Sequence, residues 1–421
     1  MELKAGFPYA AVRFDRNGAP VDLSDVSTAR QMVRDGHVTD LLVLAHGWNN
    51  NMEDAGNLYD HLLTSARGTV DGELAAPLTG RSLGVVGIFW PSMRYTDAAL
   101  IPGGAASNDP TIDFGPALDQ ALEVFDDPKS PLHPALLKLK ANLAVVGDKG
   151  SLQREFLAAV RAQLPKSATA DDQIKDTDLQ DWPTVKERLA VNVLATTSDE
   201  TVAAGGIFSS AIQAIRNLLN LTTYYEMKDR ASVIGESGAL GMLRDLKLDN
   251  PALKVHLVGH SFGGRLVSSM ARGPDGEAVL PIDSLHLLQA AYSHYGFGTA
   301  MPDIPEGYFR PVVTQHRVRG PILVTHTKND LAVGLAYAAA SALAGQVAAS
   351  IGGPDDLYGA IGSNGALNTD VEKIELTPTS PLHFKPGTIY NLHADFIKDH
   401  GDVAQSGVIR AVLYGIAAAP K

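Results

Sequence analysis

The chain has 421 residues, of which 45% are apolar, and its 47 acidic and 35 basic residues give a formal net charge of −12. The length predicts one folded core with an inserted region. The acidic balance argues against nucleic acid or an anionic membrane surface as the main partner. Cysteine is absent, which excludes disulfides, thiolate nucleophiles and cysteine-ligated zinc. No segment has the apolar pattern of a signal peptide or a membrane span, so a cytoplasmic protein is expected.

The first third of the chain predicts an α/β fold, in which buried strands alternate with helices. The alternating stretch 8–22, with Asn17-Gly18 near its centre, predicts a β-hairpin. Residues 40–46 form a short apolar run that is typical of a central parallel strand. This strand stops at His46-Gly47-Trp48-Asn49-Asn50-Asn51. The segment is either an oxyanion loop with amides that point at a ligand or an Asn-rich loop that caps the next helix. The other elements expected here are helices at 24–33 and 52–66 and a strand at 82–90.

The alternation of strand and helix stops between residues 94 and 217. We expect a helical insertion there, which is either a cap over one edge of the sheet or a partner-binding module. The predicted parts of the chain are therefore the first part of the core at 1–93, the cap insertion at 94–217 and the second part of the core at 218–421. Helices are expected in the insertion at 116–125, 134–146, 152–164 and 184–191.

The segment from Lys254 to Val267 joins an apolar strand to a helix through a very tight turn. It contains the G-x-S-x-G pattern around Ser261, which places a serine on a strained strand-to-helix turn. The N-terminus of the following helix, including the amide of Phe262, favours negative charge that develops nearby. An acyl-transfer nucleophile needs this environment. A second match, centred on Ser237, has helical spacing and no preceding strand, so Ser237 is interpreted as a structural residue.

A nucleophilic serine also needs a base and a carboxylate that orients the base. In a parallel sheet, distant residues of this kind converge at the carboxyl ends of the strands. Asp330 follows a predicted strand at 321–325 and is the candidate acid, and His400 precedes the last helix and is the candidate base. His393, with Asp395, is the rival base because it directly follows the last strand. The remaining elements are expected as strands at 284–291 and 388–392 and helices at 215–248, 331–350 and 404–418.

Four segments resemble the motifs of a known superfamily. VHLVGHSFGGRL, VLAHGWNN, ILVTHTKNDLAVG and KDHGDV are similar to the elbow, oxyanion, acid and histidine motifs of the α/β-hydrolase superfamily. They most resemble those of bacterial serine-esterase-like hydrolases of poorly defined function. The resemblance covers roughly residues 36–93 and 218–418, in the order Ser, Asp, His that is described for this fold. It implies that the amides of Trp48 and Phe262 form the oxyanion hole.

These observations predict a serine hydrolase that cleaves carboxylic esters through a triad of Ser261, His400 and Asp330. Trp48 and His260 are the candidate substrate-binding residues, although the His260 ring is expected to point away from the pocket. Neither a metal nor an organic cofactor is expected. The expected partner is a small-molecule ester, with no nucleic acid and no membrane, and a homo-oligomer is left open.

Three alternatives remain at this point. An amidase, a peptidase or an acyltransferase would use the same triad, because the chemistry differs mainly in the leaving group. A non-catalytic binding protein would use the same scaffold, but it would be free to lose the histidine. A metal-dependent hydrolase would use His393, Asp395 and His400, although no helical H-x-x-x-H or H-E-x-x-H pair accompanies them.

Overall fold

The structure, a computed structural model, describes residues 1–48, 50–92, 114–164, 176–190, 207–278, 280–302, 304–330, 343 and 358–420. The described strands form one nine-stranded sheet in the order β1-β2-β4-β3-β5-β6-β7-β9-β8. Every neighbouring pair is parallel except β1 and β2. The predicted α/β class is therefore confirmed. The strands are β1 (Glu2–Lys4), β2 (Phe7–Arg13), β3 (Asp40–Ala45), β4 (Leu83–Phe89), β5 (Lys254–His260), β6 (Ser284–Leu288), β7 (Ile322–His326), β8 (Glu372–Glu375) and β9 (Ile389–His393).

Helices flank the sheet. In the described residues they are α1 (Leu23–Asp35), α2 (Met52–Asp71), α3 (Phe114–Val124), α4 (Leu132–Ala141), α5 (Gly150–Gln163), α6 (Trp182–Ala190), α7 (Ile207–Ile234), α8 (Leu240–Asp249), α9 (Phe262–Arg272), α10 (Arg310–Thr314), α11 (Ile361–Asn364) and α12 (Ser406–Ala417). A π-helix, Gly235–Ala239, joins α7 to α8. None of the described helices is both long and apolar enough to span a bilayer.

The central strands are buried on both faces, which explains their continuous apolar runs. In β3 all six residues are buried. Leu41 and Val43 belong to a core that also holds residues of α1, α8 and α9. Leu42 and Leu44 point to the opposite face and pack in a second core with residues of α2 and α12. The sheet is thus a layer between two sets of helices, and its strand ends form two distinct edges.

The helices of the predicted insertion share the core of one sheet face. Phe114, Phe156 and Trp182 are buried in the same cluster as residues of β3 and β5. Helix α7 contacts both the predicted insertion and the predicted core. Asn217 Nδ2 donates to the Leu189 carbonyl oxygen of α6 at 2.8 Å, and Tyr224 packs on Phe262 of α9. The boundary predicted between residues 217 and 218 falls inside α7.

The N-terminal hairpin differs from its prediction. The chain reverses between β1 and β2, where Ala5 and Gly6 have positive φ angles of 46° and 79°. Around Asn17-Gly18 there is a turn with one isolated bridge, from Phe14 to Pro20. The turn signal is correct, and antiparallel pairing is confined to residues 13–21, where the Val21 N–H donates to the Arg13 carbonyl oxygen at 2.9 Å. The hairpin does not extend over 8–22, because both edges of β2 are taken by β1 and β4.

Two further expectations have different outcomes, and one strand of the sheet was not expected. Ser237 lies in the π-helix, where its hydroxyl donates to the Val233 carbonyl oxygen four residues earlier, so its structural interpretation agrees with its placement. Strand β8 was not predicted. The helix expected at 331–350 lies outside the described residues, except for Leu343, which is helical and buried.

Candidate active site

Ser261 occupies a strained turn at the carboxyl edge of the sheet. Strand β5 ends at His260, Ser261 has φ = 56° and ψ = −124°, and α9 begins at Phe262. A positive φ is uncommon for a residue with a side chain and persists only where its surroundings enforce it. Here the Ser261 N–H donates to the Leu288 carbonyl oxygen at 3.1 Å, and the Ala291 N–H donates to the Ser261 carbonyl oxygen at 3.0 Å. The neighbouring strand therefore holds the serine backbone in place.

The elbow packs directly against the loop that follows β3. A Cβ atom on Gly263 would lie 2.1 Å from the Ala45 carbonyl oxygen. A Cβ atom on Gly47 would lie 2.6 Å from Ser261 Cβ and 3.2 Å from Ser261 Oγ. Only glycine fits at either position without a backbone shift. The Gly47 backbone is consequently in contact with the candidate nucleophile.

His46 braces the same loop, and the sequence analysis missed this role. Its buried ring carries a proton on Nδ1, which donates to the Gly47 carbonyl oxygen at 2.9 Å, while Nε2 accepts from the Trp90 N–H at 3.3 Å. Burial lowers the pKa of His46 to about 4, so the ring is neutral near pH 7. Ser92 Oγ donates to the Asn50 carbonyl oxygen at 2.9 Å. The end of β4 thus holds the loop that follows β3.

The loop also caps the next helix. The Asn51 side chain accepts from the Asp54 N–H at 2.8 Å, and the Asp54 side chain accepts from the Asn51 N–H at 3.3 Å. This reciprocal pair is a capping box. Asn49 lies outside the described residues. The two interpretations of this loop are therefore compatible, since one loop caps α2 and lies against Ser261.

His400 and Asp330 form a pair at the same sheet edge. His400 Nδ1 lies 2.8 Å from Asp330 Oδ2. The Asp330 side chain is fully buried, whereas the His400 side chain is 22% exposed. Because a carboxylate only accepts, this contact places the histidine proton on Nδ1 and leaves Nε2 with a lone pair. Asn329 joins the loop of Asp330 to the loop of His400, since its Nδ2 donates to the Ile397 carbonyl oxygen at 2.8 Å.

The His400 ring lies beside the elbow. Its centroid is 4.7 Å from that of His260, the residue before Ser261. Among the described residues, no hydrogen bond joins Ser261 Oγ to His400. In enzymes without substrate such contacts are often long and tighten only in the reacting complex. The structure thus brings Asp330 and His400 together and places His400 against His260, the residue that precedes Ser261.

Two aromatic side chains flank Phe262. The Trp48 ring centroid lies 5.9 Å from that of Phe262, and the Tyr224 centroid, on α7, lies 4.9 Å from it. Phe262 is the first residue of α9, so its N–H has no acceptor within the helix. The side chains of Trp48 and Phe262, whose amides are the predicted oxyanion donors, are consequently neighbours. Tyr224 is an additional aromatic residue that the sequence did not single out.

His260 has a different placement from a substrate-binding residue. Its ring is buried, and Nε2 donates to the His400 carbonyl oxygen at 2.8 Å. The expectation that the ring points away from the pocket stays a prediction. The parallel expectation that His260 contacts substrate has no support in this geometry, because the ring is directed at the loop of His400.

The rival histidine is engaged elsewhere. His393 Nδ1 lies 2.7 Å from Glu375 Oε2, and His393 Nε2 lies 2.9 Å from Asp395 Oδ1. Its ring stacks on His326 with centroids 5.2 Å apart. The three residues of the metal-dependent alternative are therefore divided between two pairs, and the described residues contain no group of three potential ligands that could hold a metal ion.

Comparison with protein-family models, with curated proteins and with solved structures found no match for this chain.

Proposed function

We propose that this protein is a serine hydrolase with an α/β-hydrolase fold that cleaves carboxylic esters through an acyl-enzyme on Ser261. One observation carries the proposal: Ser261 has a left-handed backbone at the carboxyl edge of a parallel sheet, and the residue before it, His260, contacts the histidine of the pair formed by His400 and Asp330. This strand-turn-helix context is the one expected for a nucleophile elbow. The sequence resemblance supports the same assignment.

The proposed cycle uses the lone pair on His400 Nε2. His400 accepts the Ser261 hydroxyl proton while Ser261 Oγ forms a bond to the ester carbonyl carbon. Collapse of the tetrahedral intermediate breaks the bond to the leaving oxygen, which takes the proton from His400. Water then attacks the acyl-enzyme with the same proton transfers and releases the acid. Asp330 holds the imidazole tautomer and stabilises its positive charge.

The oxyanion would be stabilised by the amides of Trp48 and Phe262. Such donors are effective because they are fixed before the reaction and require no reorganisation. The bracing of the Gly47 loop by His46 and Ser92 supports this role, because it fixes the backbone next to the nucleophile. The proposed acyl pocket lies near Trp48 and Tyr224, whose rings flank Phe262.

The test is hydrolysis of p-nitrophenyl esters of short and long acyl chains, together with covalent labelling by a fluorophosphonate probe. Wild-type protein should hydrolyse at least one ester and become labelled, and Ser261→Ala should do neither. Labelling without ester hydrolysis would indicate the same triad acting on amides or in acyl transfer. An unlabelled wild-type protein would refute the assignment of Ser261 as a nucleophile.

A further inference from the structure

Two side chains from the ends of adjacent strands hold the loop that carries His400. His260 is the last residue of β5, and its Nε2 donates to the His400 carbonyl oxygen at 2.8 Å. Gln289 directly follows β6, and its Nε2 donates to the Asp399 carbonyl oxygen at 3.4 Å. Two consecutive carbonyl groups of the histidine loop are thus bound from the sheet edge. The contact of Gln289 is the longer of the two and hence the weaker.

The chemistry of the acceptors fixes the orientation of both donors. A carbonyl oxygen only accepts, so His260 must carry its proton on Nε2 and Gln289 must present its amide nitrogen. Burial, with a smaller contribution from the neighbouring His400, lowers the pKa of His260 to about 3. His260 therefore stays neutral in the pH range of an esterase assay and keeps this donor.

The backbone of Gln289 is strained in the same way as that of Ser261. Gln289 has φ = 44° and is fully buried. Its N–H donates to Thr325 Oγ1 at 3.2 Å, and a Cβ atom on Gly362 would lie 2.6 Å from its carbonyl carbon. Strain of this kind persists only where the surrounding structure enforces it, and it concentrates at functional sites. The residues that follow β5 and β6 thus both have a left-handed backbone, at the carboxyl edge of the sheet.

We propose that His260 and Gln289 are positioning residues, which hold the histidine loop so that His400 Nδ1 stays on Asp330 while Nε2 serves Ser261. The inference rests on the proposed serine-hydrolase function. Neither residue touches the reacting atoms, and both act through the backbone that carries the His400 ring. A displacement of about 1 Å at a reacting group can lower the rate about 10²-fold, so the loss of either anchor should be measurable.

The experiment removes each donor and restores one. His260→Leu and Gln289→Met delete the hydrogen bonds and keep an apolar side chain of similar size. His260→Gln supplies an amide N–H in place of the imidazole N–H. We expect His260→Leu to lower kcat about 10²-fold and Gln289→Met to lower it up to about tenfold, with KM unchanged because ester binding is intact. His260→Gln should recover most of the loss.

Two matched substitutions serve as controls. Gln153 on α5 is also buried, and its Nε2 donates to the Val146 carbonyl oxygen at 2.8 Å. His133 on α4 contacts the Phe125 carbonyl oxygen through Nδ1 at 2.8 Å. Gln153→Met and His133→Leu remove the same type of bond away from the candidate site, and both should keep the wild-type kcat.

A second readout does not depend on activity. The proton between His400 Nδ1 and Asp330 should give a low-field NMR resonance, which Asp330→Asn would abolish. The resonance should shift or broaden in His260→Leu and Gln289→Met and stay in place in both controls. An unchanged resonance together with a wild-type kcat in the donor-deleted variants would overturn the proposal, and Gln289→Met alone decides it if His260→Leu does not fold. If wild-type protein neither labels nor hydrolyses, the proposed function fails, and the resonance still decides whether the two residues hold the loop.

Discussion

The sheet carries two Ser-His-Asp constellations, one at each end of its central strands. The carboxyl-end constellation consists of the three candidate catalytic residues. The amino-end constellation consists of Ser284, His256 and Asp40. In it, His256 Nδ1 lies 2.7 Å from Ser284 Oγ, and His256 Nε2 lies 3.1 Å from Asp40 Oδ1. Judged by residue type and hydrogen-bond distance alone, the amino-end constellation is the more complete triad.

The backbone and the position of the two serines separate the constellations, since both residues are buried, Ser261 at 4% and Ser284 at 0% exposure. All members of the amino-end constellation are at most 1% exposed, and Ser284 lies in a regular strand. No substrate can reach a hydroxyl in the interior of a sheet. Ser261, in contrast, lies at a sheet edge on a left-handed residue, with the N-terminus of α9 beside it. The difference teaches that edge position and fixed backbone amides, rather than three side chains in contact, identify a candidate catalytic site.

The amino-end constellation has a structural role. The Arg81 guanidinium contacts Asp40 and also donates to the Ile416 carbonyl oxygen of α12 at 3.1 Å. Burial acts to raise the pKa of Asp40, but hydrogen bonds from His256, Arg81 and Thr39 outweigh it and hold the pKa well below its ordinary value. This network ties three strands to the last helix of the chain.

The largest difference between the two constellations is expected in kcat, when the serine of each is replaced by alanine. Ser261→Ala should lower kcat by about 10⁴- to 10⁶-fold, because it removes the nucleophile. Ser284→Ala should keep the wild-type kcat and lower the free energy of unfolding by about 1–3 kcal/mol, since two buried histidines lose a partner. Ester hydrolysis and urea unfolding measure the two effects. Comparable kcat losses in both variants would contradict the division of roles.

The two aspartates should separate the same roles. Asp330→Asn should lower kcat about 10⁴-fold, because the amide favours the wrong histidine tautomer. Asp40→Asn should leave kcat unchanged and lower the free energy of unfolding by about 3–5 kcal/mol, because it breaks a buried ion pair with Arg81. Steady-state kinetics and urea unfolding of the same preparations test this. Wild-type turnover in Asp330→Asn would remove Asp330 from the proposed triad.

Gly47→Ala tests the contact between the loop and the nucleophile. The new Cβ atom would lie 2.6 Å from Ser261 Cβ, so the loop must move and carry its amides away from the developing oxyanion. We expect kcat to fall about 10²- to 10³-fold, as for the loss of one oxyanion donor. Gly56→Ala on α2, where a Cβ atom meets no neighbour within 4 Å, is the control. An unchanged kcat in Gly47→Ala would argue against an oxyanion role for this loop.

Much of the sheet and the candidate site could be predicted because their signals are local. The apolar runs of β3 and β5 indicate buried parallel strands, and the glycines around Ser261 indicate a turn that is too tight for side chains. Asp330 and His400 stand out because each lies in a loop between a predicted strand and the helix that follows it. Their mutual contact follows from parallel topology, in which the carboxyl ends of the strands converge.

The remaining features depend on contacts between distant segments. Asp40, His256 and Ser284 sit within apolar runs, and only the strand order β3-β5-β6 brings them together. The role of His46 also depends on the strand order, because its partner Trp90 follows β4, whereas His46 follows β3. Residues 284–291 look like one strand, yet the strand ends at Leu288 because the next residue is left-handed. No pattern of apolar residues marks such a change of conformation.

The smallest expected effect concerns acid sensitivity, and it again contrasts the two ends of the strands. Burial lowers the pKa of His46 to about 4, whereas the ordinary value of about 6.5 applies after unfolding. Between these pH values the unfolded chain binds more protons at His46 than the folded chain does. The contribution of neutral His46 to the free energy of unfolding is therefore fully present above about pH 6.5 and is lost as the pH falls toward 4. His46→Asn keeps a donor toward Gly47 and should reduce the slope of unfolding free energy against pH by up to about 1.4 kcal/mol per pH unit.

The matched comparison is His256, at the amino end. Burial also lowers the pKa of His256, but the hydrogen bond and the charge of Asp40 oppose that shift. His256→Asn should therefore change the slope less than His46→Asn does. Urea unfolding at several pH values between 4 and 7 measures the slopes. Equal slopes in wild type and His46→Asn would show that His46 does not contribute to acid sensitivity. A larger change of slope in His256→Asn than in His46→Asn would mean that Asp40 does not offset the effect of burial on the pKa of His256.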